Sequence, residues 1–247
     1  MIEVKNIYKS FGDNTVLKNI THSFEPGQNN LIIGQSGSGK TVLVKCILGL
    51  FPVDKGDIIY DDRLISGMKR KELKEIQKEI GMLFQGGALF DYMSVEENIM
   101  FPLSMFTKDS YQDKLKRVDF CLERVNLKGS NKLMPSELSG GMTKRVAIAR
   151  AISMNPKYLF CDEPNSGLDP QTAELIDELI DEITAEYKIT TIVNTHDMNS
   201  VLNIGDNITF LYKGKLWWTG SNKEILATSN KELNEFVFST ELTRRLK

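Results

Sequence analysis

The sequence predicts an α/β fold, in which helices cover a mostly parallel sheet. An antiparallel β part is expected at the N-terminus and an α-helical subdomain in the middle of the chain. Three observations support this prediction. The first residues alternate between apolar and polar side chains, which is typical of half-buried strands. Short apolar runs then alternate with segments of helical spacing, as in sheets built from βαβ units. The stretch from about 94 to 154 has helical patterns only.

Size and composition limit the classes of protein to consider. The 247 residues suffice for one large α/β domain or two small ones. The formal net charge of −2 argues against a nucleic-acid binder, which usually carries a basic surface. Three scattered cysteines, Cys46, Cys121 and Cys161, predict no disulfide framework and no CxxC metal pair, and they fit a reducing cytosol. No apolar run reaches the roughly 18 residues that span a bilayer, so we expect no membrane crossing by this chain itself.

Alternation and turn signals predict the elements of the first third. IEVKNIY and VLKNITHSF are expected to be strands, with a turn at Gly12-Asp13-Asn14 between them. NNLIIG is a short apolar strand, and a segment with helical spacing begins at Lys40. Asp57–Tyr60 predicts another strand, Lys69–Glu79 a charged helix, and IGMLFQ the next strand.

Caps and strand-like runs predict the remaining elements. Ser94 and Glu97 form a capping-box pattern at a helix start. Two further helices are expected over Asp109–Asn126 and Gly140–Met154. The other predictions are a strand YLFCDE, a helix Pro170–Tyr187 with proline at its start, a strand ITTIVNTH, a hairpin of ITFLYKG and KLWWTG around Gly214, and a serine-capped helix in SNKEILATSN.

A glycine-rich loop provides the strongest chemical signal. GQSGSGKT fits the P-loop pattern GxxxxGK[ST], and it follows an apolar strand and opens a helix. Glycines allow successive backbone N–H groups to point at phosphate oxygens. Lys40 is expected to reach the β- and γ-phosphates, and the Thr41 hydroxyl to ligate Mg²⁺. The sequence therefore predicts a nucleoside triphosphate site.

Two carboxylates end a second apolar strand, in the run Tyr158–Glu163. Asp162 is expected to hold Mg²⁺ and its waters, and Glu163 to polarise the attacking water. The alternative is a strand end with solvated acids. That alternative is much weaker beside a P-loop.

A second candidate anion site lies at the start of another helix. Ser139, Gly140 and Gly141 precede a long helical pattern, and two glycines behind a serine expose backbone N–H groups there. From the residues alone, this turn serves either the P-loop of its own chain or that of another copy.

Taken together, these motifs resemble those of the ATP-binding subunits of ABC transporters, and the resemblance runs from about Ile2 to Gly220. It places the chain in the ABC-type P-loop NTPase fold. LSGG at Leu138–Gly141 is similar to the family signature. The remaining matches are Gln85 as the Q-loop glutamine, Ser166–Asp169 as the D-loop, His196 as the switch histidine, and Phe11 at the adenine-stacking position, where tyrosine is more usual.

The resemblance implies a set of roles. Two copies would pair head to tail, so that Ser139, Gly140 and Gly141 of one copy close over ATP on the P-loop of the other. Glu163 would be the general base, His196 a γ-phosphate contact, and Asp169 the D-loop acid. The residues implied in ATP binding are Phe11, Gly34, Gln35, Ser36, Gly37, Ser38, Gly39, Lys40, Thr41 and Gln85, and those implied in Mg²⁺ binding are Thr41, Gln85 and Asp162.

Met142 narrows the resemblance, because most family members have glutamine at that position. LSGGM and the stretch Phe84–Leu103 are similar to ATPases of the Mla and Mce type, which power lipid movement between bacterial membranes. We expect Met142 to pack at a dimer or subdomain seam without touching phosphate. The apolar side chains around Phe84–Leu103 have two interpretations, core of the helical subdomain or groove for a permease helix, and the resemblance favours a part in each. The crowded residues are Phe90, Met93, Met100, Phe101, Met105 and Phe106.

The predicted function is thus ATP hydrolysis that powers an ABC transporter, with phospholipid moved between the bacterial inner and outer membranes as the cargo that the Mla and Mce resemblance implies. The chain is expected on the cytoplasmic face of the inner membrane. The implied partners are a second copy and a membrane permease, with an Mce-domain protein and a small helper protein as further candidates, and no nucleic acid. Two alternatives stay open: the ATPase of another ABC system, such as a small-solute importer or lipoprotein release, and a mechanical or regulatory ABC module without cargo.

The predicted domain organisation has one nucleotide-binding domain over 1–227, with its helical subdomain at about 86–156. Residues 228–247 form a C-terminal tail with an apolar cluster at Phe236–Phe238. The cluster has two interpretations: contact with a partner or second copy, and closure of the chain's own core.

Overall fold

The computed structural model describes residues 1–238. Its strands are β1 (Ile2–Phe11), β2 (Asn14–Phe24), β3 (Asn29–Ile33), β4 (Lys55–Tyr60), β5 (Arg63–Leu64), β6 (Ile80–Leu83), β7 (Tyr158–Asp162), β8 (Thr190–Asn194), β9 (Asn207–Tyr212) and β10 (Lys215–Gly220). Its helices are α1 (Lys40–Ile47), α2 (Arg70–Gln77), α3 (Val95–Phe106), α4 (Tyr111–Arg124), α5 (Gly140–Ile152), α6 (Pro170–Tyr187), α7 (Met198–Ile204) and α8 (Lys231–Val237). A single 3₁₀ turn, Pro135–Glu137, precedes α5.

The chain divides into two compact units. One contains Met1–Lys74 together with the chain from Thr190 onward, and the other contains Glu75–Ile189. Among the described residues, no helix is both long and apolar enough to cross a membrane.

The first unit contains an antiparallel sheet and a mostly parallel one. The antiparallel sheet has the order β2-β1-β4-β5, with Ile2 paired to both Phe24 and Tyr60. In the second sheet, β3 lies between β8 and β9, parallel to both, and β10 pairs with β9 as a hairpin. All five residues of β3 are buried, as expected for a parallel strand covered on both faces. The predicted N-terminal antiparallel part and the parallel core strands are confirmed.

The second unit combines a parallel strand pair with long helices. β6 runs parallel to β7, with Leu83 opposite Cys161. The capping box predicted at the start of α3 is confirmed: Ser94 Oγ accepts from the Glu97 N–H at 3.3 Å, and the Ser94 N–H donates to Glu97 at 2.7 Å. α5 is apolar on most of its surface and buried along Val146–Ala149. Helix α5 therefore forms the centre of this unit.

One local prediction is wrong, and helix α7 was not predicted. The serine-capped helix expected in SNKEILATSN is wrong: residues 222–227 form consecutive turns. Their backbone bonds mix i+3 and i+4 spacing, and only Ile225 is anchored by full burial, so the turns do not propagate into a helix. Conversely, α7 has no counterpart in the sequence predictions. Asp197 starts it by accepting from the Asn199 N–H at 2.9 Å.

The described part of the tail packs on its own unit. Leu233 and Val237 of α8 are buried, and the Phe236 ring lies 5.5 Å from that of Phe210. This arrangement matches the own-core interpretation for that cluster. Residues 239–247 lie outside the described residues, and a partner contact through the tail stays a prediction.

Candidate nucleotide site

The P-loop connects β3 to α1 and is packed so tightly at two of its glycines that a side chain is excluded there. A Cβ at Gly34 would lie 2.4 Å from the Leu211 carbonyl oxygen. Gly39, at φ 108°, has the Leu17 side chain 2.9 Å from the place of a Cβ. Only glycine fits these two positions, so the loop backbone approaches its neighbours closely.

The N-terminus of α1 suits an anion. Gly39 supplies no side-chain cap, and the first turn contains no acidic residue. The N–H groups and the positive end of the helix dipole therefore meet no negative side chain of that turn. Ser38 is buried, and its Oγ has no hydrogen-bond partner among the described residues. Such an orphaned hydroxyl fits a ligand that supplies an acceptor.

Lys40 folds back across this loop. Its Nζ donates to the carbonyl oxygens of Gly34 at 2.7 Å and Gln35 at 3.3 Å. These bonds hold the ammonium group over the loop to which the sequence assigned phosphate. Thr41 follows in the first turn with an exposed side chain.

His196 follows the strand next to β3. Because β3 and β8 are parallel neighbours, their carboxyl ends lie at one edge of the sheet. The Thr195 N–H donates to the Ile32 carbonyl at 3.2 Å, which ties the two strand ends together. The exposed His196 and the P-loop thus leave the same edge. His22, the other histidine, is half-buried beside Phe24, and desolvation lowers its pKa to about 4.

Phe11 ends β1 with its ring 46% exposed. The ring meets Phe51 edge to face at 5.4 Å, and the Lys9 ammonium lies 5.4 Å from its centre. An aromatic ring held at one edge and open elsewhere is suitable for stacking on a base. The adenine role of Phe11 stays a prediction.

In the second unit, β6 and β7 also bring their ends together. Gln85 follows β6, Asp162 is the last residue of β7, and Glu163 follows it at the same edge of this parallel pair. The Gln85 Nε2 donates to the Ser166 hydroxyl at 3.1 Å. Glu163 has φ +48°, a left-handed conformation that is uncommon for a residue with a side chain. Strained backbone of this kind occurs preferentially at active sites.

The signature turn and the D-loop pack against each other. Ser139 caps α5 by accepting from the Met142 N–H at 3.3 Å. Asp169 caps α6 through the N–H of Thr172, and the hydrogen bonds from Thr172 lower the pKa of the Asp169 carboxyl. A Cβ on Gly141 would lie 2.6 Å from the Thr172 methyl group. Gly141 is therefore required for helix packing, independently of any anion.

Sequence reasoning missed Lys144 in α5. Its side chain is buried, and burial lowers the pKa of its ammonium group. It donates to the carbonyl oxygen of Gln85 and lies 3.5 Å from that of Glu163. Nothing in the sequence of α5, which also contains Arg145 and Arg150, distinguishes Lys144 from a solvated cation.

A groove of about 400 Å³ lies on the second unit beside the Q-loop. Its apolar lining includes Phe84, Phe90, Phe101, Pro102, Phe106 and Met154. Among the crowded side chains, Met100 is buried in the core, whereas Met105 and Phe106 are exposed. The role of the exposed ones in binding a permease helix stays a prediction. The cations Lys78 and Arg150 also border the groove.

Comparisons with known proteins agree with this arrangement. The ABC transporter family model matches residues 17–166. The methionine import ATP-binding protein MetN of Clostridium tetani is 39% identical, over 98% of this chain and 76% of its own length. The intermembrane phospholipid transport system ATP-binding protein MlaF of Haemophilus influenzae is 37% identical, over 96% of this chain and 90% of its own length.

A solved structure extends the agreement to the fold. The ATP-binding cassette MJ0796, described as a dimer in a post-hydrolysis state bound to ADP and Pi, has a TM-score of 0.81 and 31% identity. The similarity covers 90% of this chain and 99% of that one. The chain therefore belongs to the ABC transporter family, as an ATPase subunit with the ATP-binding cassette fold.

Proposed function

We propose that this chain powers phospholipid transport between bacterial membranes, working as a head-to-tail pair on a permease at the cytoplasmic face of the inner membrane. The observation that carries the proposal is the apolar groove beside Gln85. Phe84, Phe90 and Phe101 of its aromatic lining belong to the stretch Phe84–Leu103, which together with Met142 resembles the Mla and Mce type. An Mce-domain protein and a small helper protein are proposed as further members of the complex.

Overall identity does not distinguish the cargo. The MetN and MlaF relatives are almost equally similar to this chain, although one is named for methionine import and the other for phospholipid transport. All such subunits share the chemistry of ATP hydrolysis, and the permease carries the cargo. The surface that meets the permease is therefore more informative than identity.

The proposed roles follow the chemistry of each group. The P-loop amides and Lys40 bind the phosphates, Phe11 stacks on adenine, and the Ser139–Gly141 turn of the second copy meets the γ-phosphate. Glu163 accepts the proton of the attacking water, and His196 contacts the γ-phosphate. Asp169 is the acidic residue that the D-loop contributes to this site.

The donor set also suits Mg²⁺, which prefers oxygen ligands and usually needs only one or two protein carboxylates besides phosphates and waters. Thr41, Gln85 and Asp162 offer a hydroxyl, an amide and a carboxylate oxygen. Among the described residues, no group of three His, Cys, Asp or Glu side chains suggests a more enclosed metal site. Bound Mg²⁺ would supply charge neutralisation at the β- and γ-phosphates.

Affinity purification tests the cargo. The tagged protein is isolated from detergent-solubilised native membranes, and proteins and lipids are identified by mass spectrometry. We expect a permease, an Mce-domain protein and phospholipid. A permease for another solute, without lipid, would contradict the phospholipid assignment and leave the ATPase assignment unaffected.

A matched pair of variants tests the groove. Phe106→Asp places a charge in the groove, whereas Phe120→Asp changes a similarly exposed phenylalanine on α4, outside the groove lining; the exposed fractions are 51% and 40%. We expect Phe106→Asp to lose the co-purifying permease and Phe120→Asp to retain it. Equal recovery of the permease by both variants would exclude the groove as the docking surface.

A further inference from the structure

Helix α5 holds the segment after β6 at two places. Its first contact is Lys144, whose ammonium donates to the Gln85 carbonyl oxygen. Six residues later, the Arg150 guanidinium donates to the carbonyl oxygens of Gly87 and Ala88, both at 2.7 Å. One helix thus binds three carbonyl oxygens within four consecutive residues of the Q-loop segment, 85–88.

The held segment has an unfavourable backbone conformation. Gly87 has φ +76° and Ala88 φ +48°, and the second value is uncommon for a residue with a side chain. Such a conformation persists only where surrounding contacts over-determine it. The planar guanidinium of Arg150, with its fixed donors, provides contacts of that kind.

Lys144 also has a second acceptor, which lies in the segment directly after β7. Its Nζ lies 3.5 Å from the Glu163 carbonyl oxygen, and the residue is only 4% exposed. A buried ammonium group is costly unless its donors are satisfied, so the two carbonyl oxygens and the cation hold each other in place. Glu163 is also a strained residue, at φ +48°, and the same over-determination argument applies to it.

We infer that Lys144 is a positioning residue for ATP hydrolysis, which fixes the Q-loop glutamine and the Glu163 backbone to the signature helix. It acts through Gln85 and Glu163 and touches no substrate. The inference rests on the proposed roles of those two side chains. Ala88 and Arg150 line the groove, so a partner bound there would contact the Q-loop segment 85–88. Lys144 connects this segment to Glu163.

The expected signature is slow turnover with intact binding. Misplacing a catalytic group by about 1 Å costs roughly 100-fold in rate, so Lys144→Met should lower kcat by about 10- to 100-fold. The Kd for ATP should change less than about threefold, because the P-loop is unaltered. The ATP-bound dimer should accumulate, as in Glu163→Gln. Lys144→Arg, which keeps the charge and donors, should recover part of kcat.

Lys116→Met is the matched control, because Lys116 is an exposed lysine on α4 that pairs with Asp113. It should leave kcat and the unfolding temperature unchanged. Thermal unfolding identifies variants that fail to fold. If Lys144→Met does not fold, Lys144→Gln replaces it, since its amide retains one neutral donor and an intermediate loss of kcat is expected.

The outcomes distinguish a failure of the positioning role of Lys144 from a failure of the assignment of Glu163 as the general base. Folded Lys144→Met or Lys144→Gln with wild-type kcat, while Glu163→Gln is inactive, would overturn the positioning role only. A loss of ATP affinity equal to the loss of kcat would also overturn it. Wild-type turnover by Glu163→Gln would instead refute the assignment of the base.

Discussion

At the scale of single residues, Lys40 provides the most direct test of ATP binding. Its ammonium group lies over the P-loop, bound to the Gly34 and Gln35 carbonyl oxygens. Lys40→Ala removes the positive partner of the phosphates, and we expect the Kd for ATP to rise by about 100-fold or more. Isothermal titration calorimetry measures it. Lys45→Ala, an exposed lysine of the same helix, serves as the control and should bind normally. Full ATPase activity in Lys40→Ala would exclude the P-loop assignment.

His22 gives a prediction about stability at low pH. Its Nε2 lies 2.9 Å from the Thr209 hydroxyl, and burial lowers its pKa from 6.5 to about 4. Between these values the unfolded chain binds more protons than the folded one, so stability falls as the pH falls from 6.5 to 4. The loss attributable to His22 is on the order of 3 kcal/mol.

Urea unfolding at several pH values measures this loss. His22→Gln should flatten the dependence within that window. The control is His196→Gln, which changes the exposed second histidine and should leave the slope in place. An unchanged slope in His22→Gln would assign the effect to other groups.

At the scale of elements, the contact of α5 with α6 separates the two roles of Gly141. A Cβ there would lie 2.6 Å from the Thr172 methyl group, so Gly141→Ala should destabilise the chain by about 1–3 kcal/mol. Adding Thr172→Ser to Gly141→Ala removes that methyl group while keeping the hydroxyl, and this double variant should recover the lost stability. Gly140→Ala is the control, because its Cβ would meet only Leu168 at 3.4 Å.

Chemical denaturation of the wild type, Gly141→Ala, Gly140→Ala and the Gly141→Ala/Thr172→Ser double variant tests this packing role. If Gly141→Ala is as stable as wild type, the close approach of the two helices is wrong. ATP turnover of the same variants separates the second role. If the double variant regains stability but not ATP hydrolysis, the backbone of the Ser139–Gly141 turn is itself required for function.

Element prediction succeeded where a local signal determines the structure. The capping box at Ser94 and Glu97 fixes the start of α3, and the apolar run Leu31–Ile33 fixes a buried strand. It failed where tertiary contacts decide, as in the turns at 222–227. It also missed Lys144, because charge patterns do not reveal which carbonyl oxygens a side chain meets after folding.

At the scale of the whole molecule, the predicted site residues belong to two units. The P-loop, Phe11 and His196 lie in the first unit, whereas Gln85, Asp162, Glu163 and the signature turn lie in the second. The motif patterns predicted most of both groups, because these residues lie at the end of a strand or at the start of a helix, whereas Phe11 was assigned by resemblance to the family. The pairing of two copies leaves no comparable pattern in one sequence and rests on the family.

The central claim is that two copies close on ATP and that Glu163 then drives hydrolysis. The most direct test measures ATP turnover and association state of Glu163→Gln with ATP and Mg²⁺, beside Glu178→Gln, which changes an exposed glutamate of α6. We predict an ATP-bound dimer on size-exclusion chromatography with turnover reduced by about 100-fold or more for Glu163→Gln, and wild-type behaviour for Glu178→Gln. Wild-type turnover by Glu163→Gln, or a monomer at saturating ATP, would contradict the account.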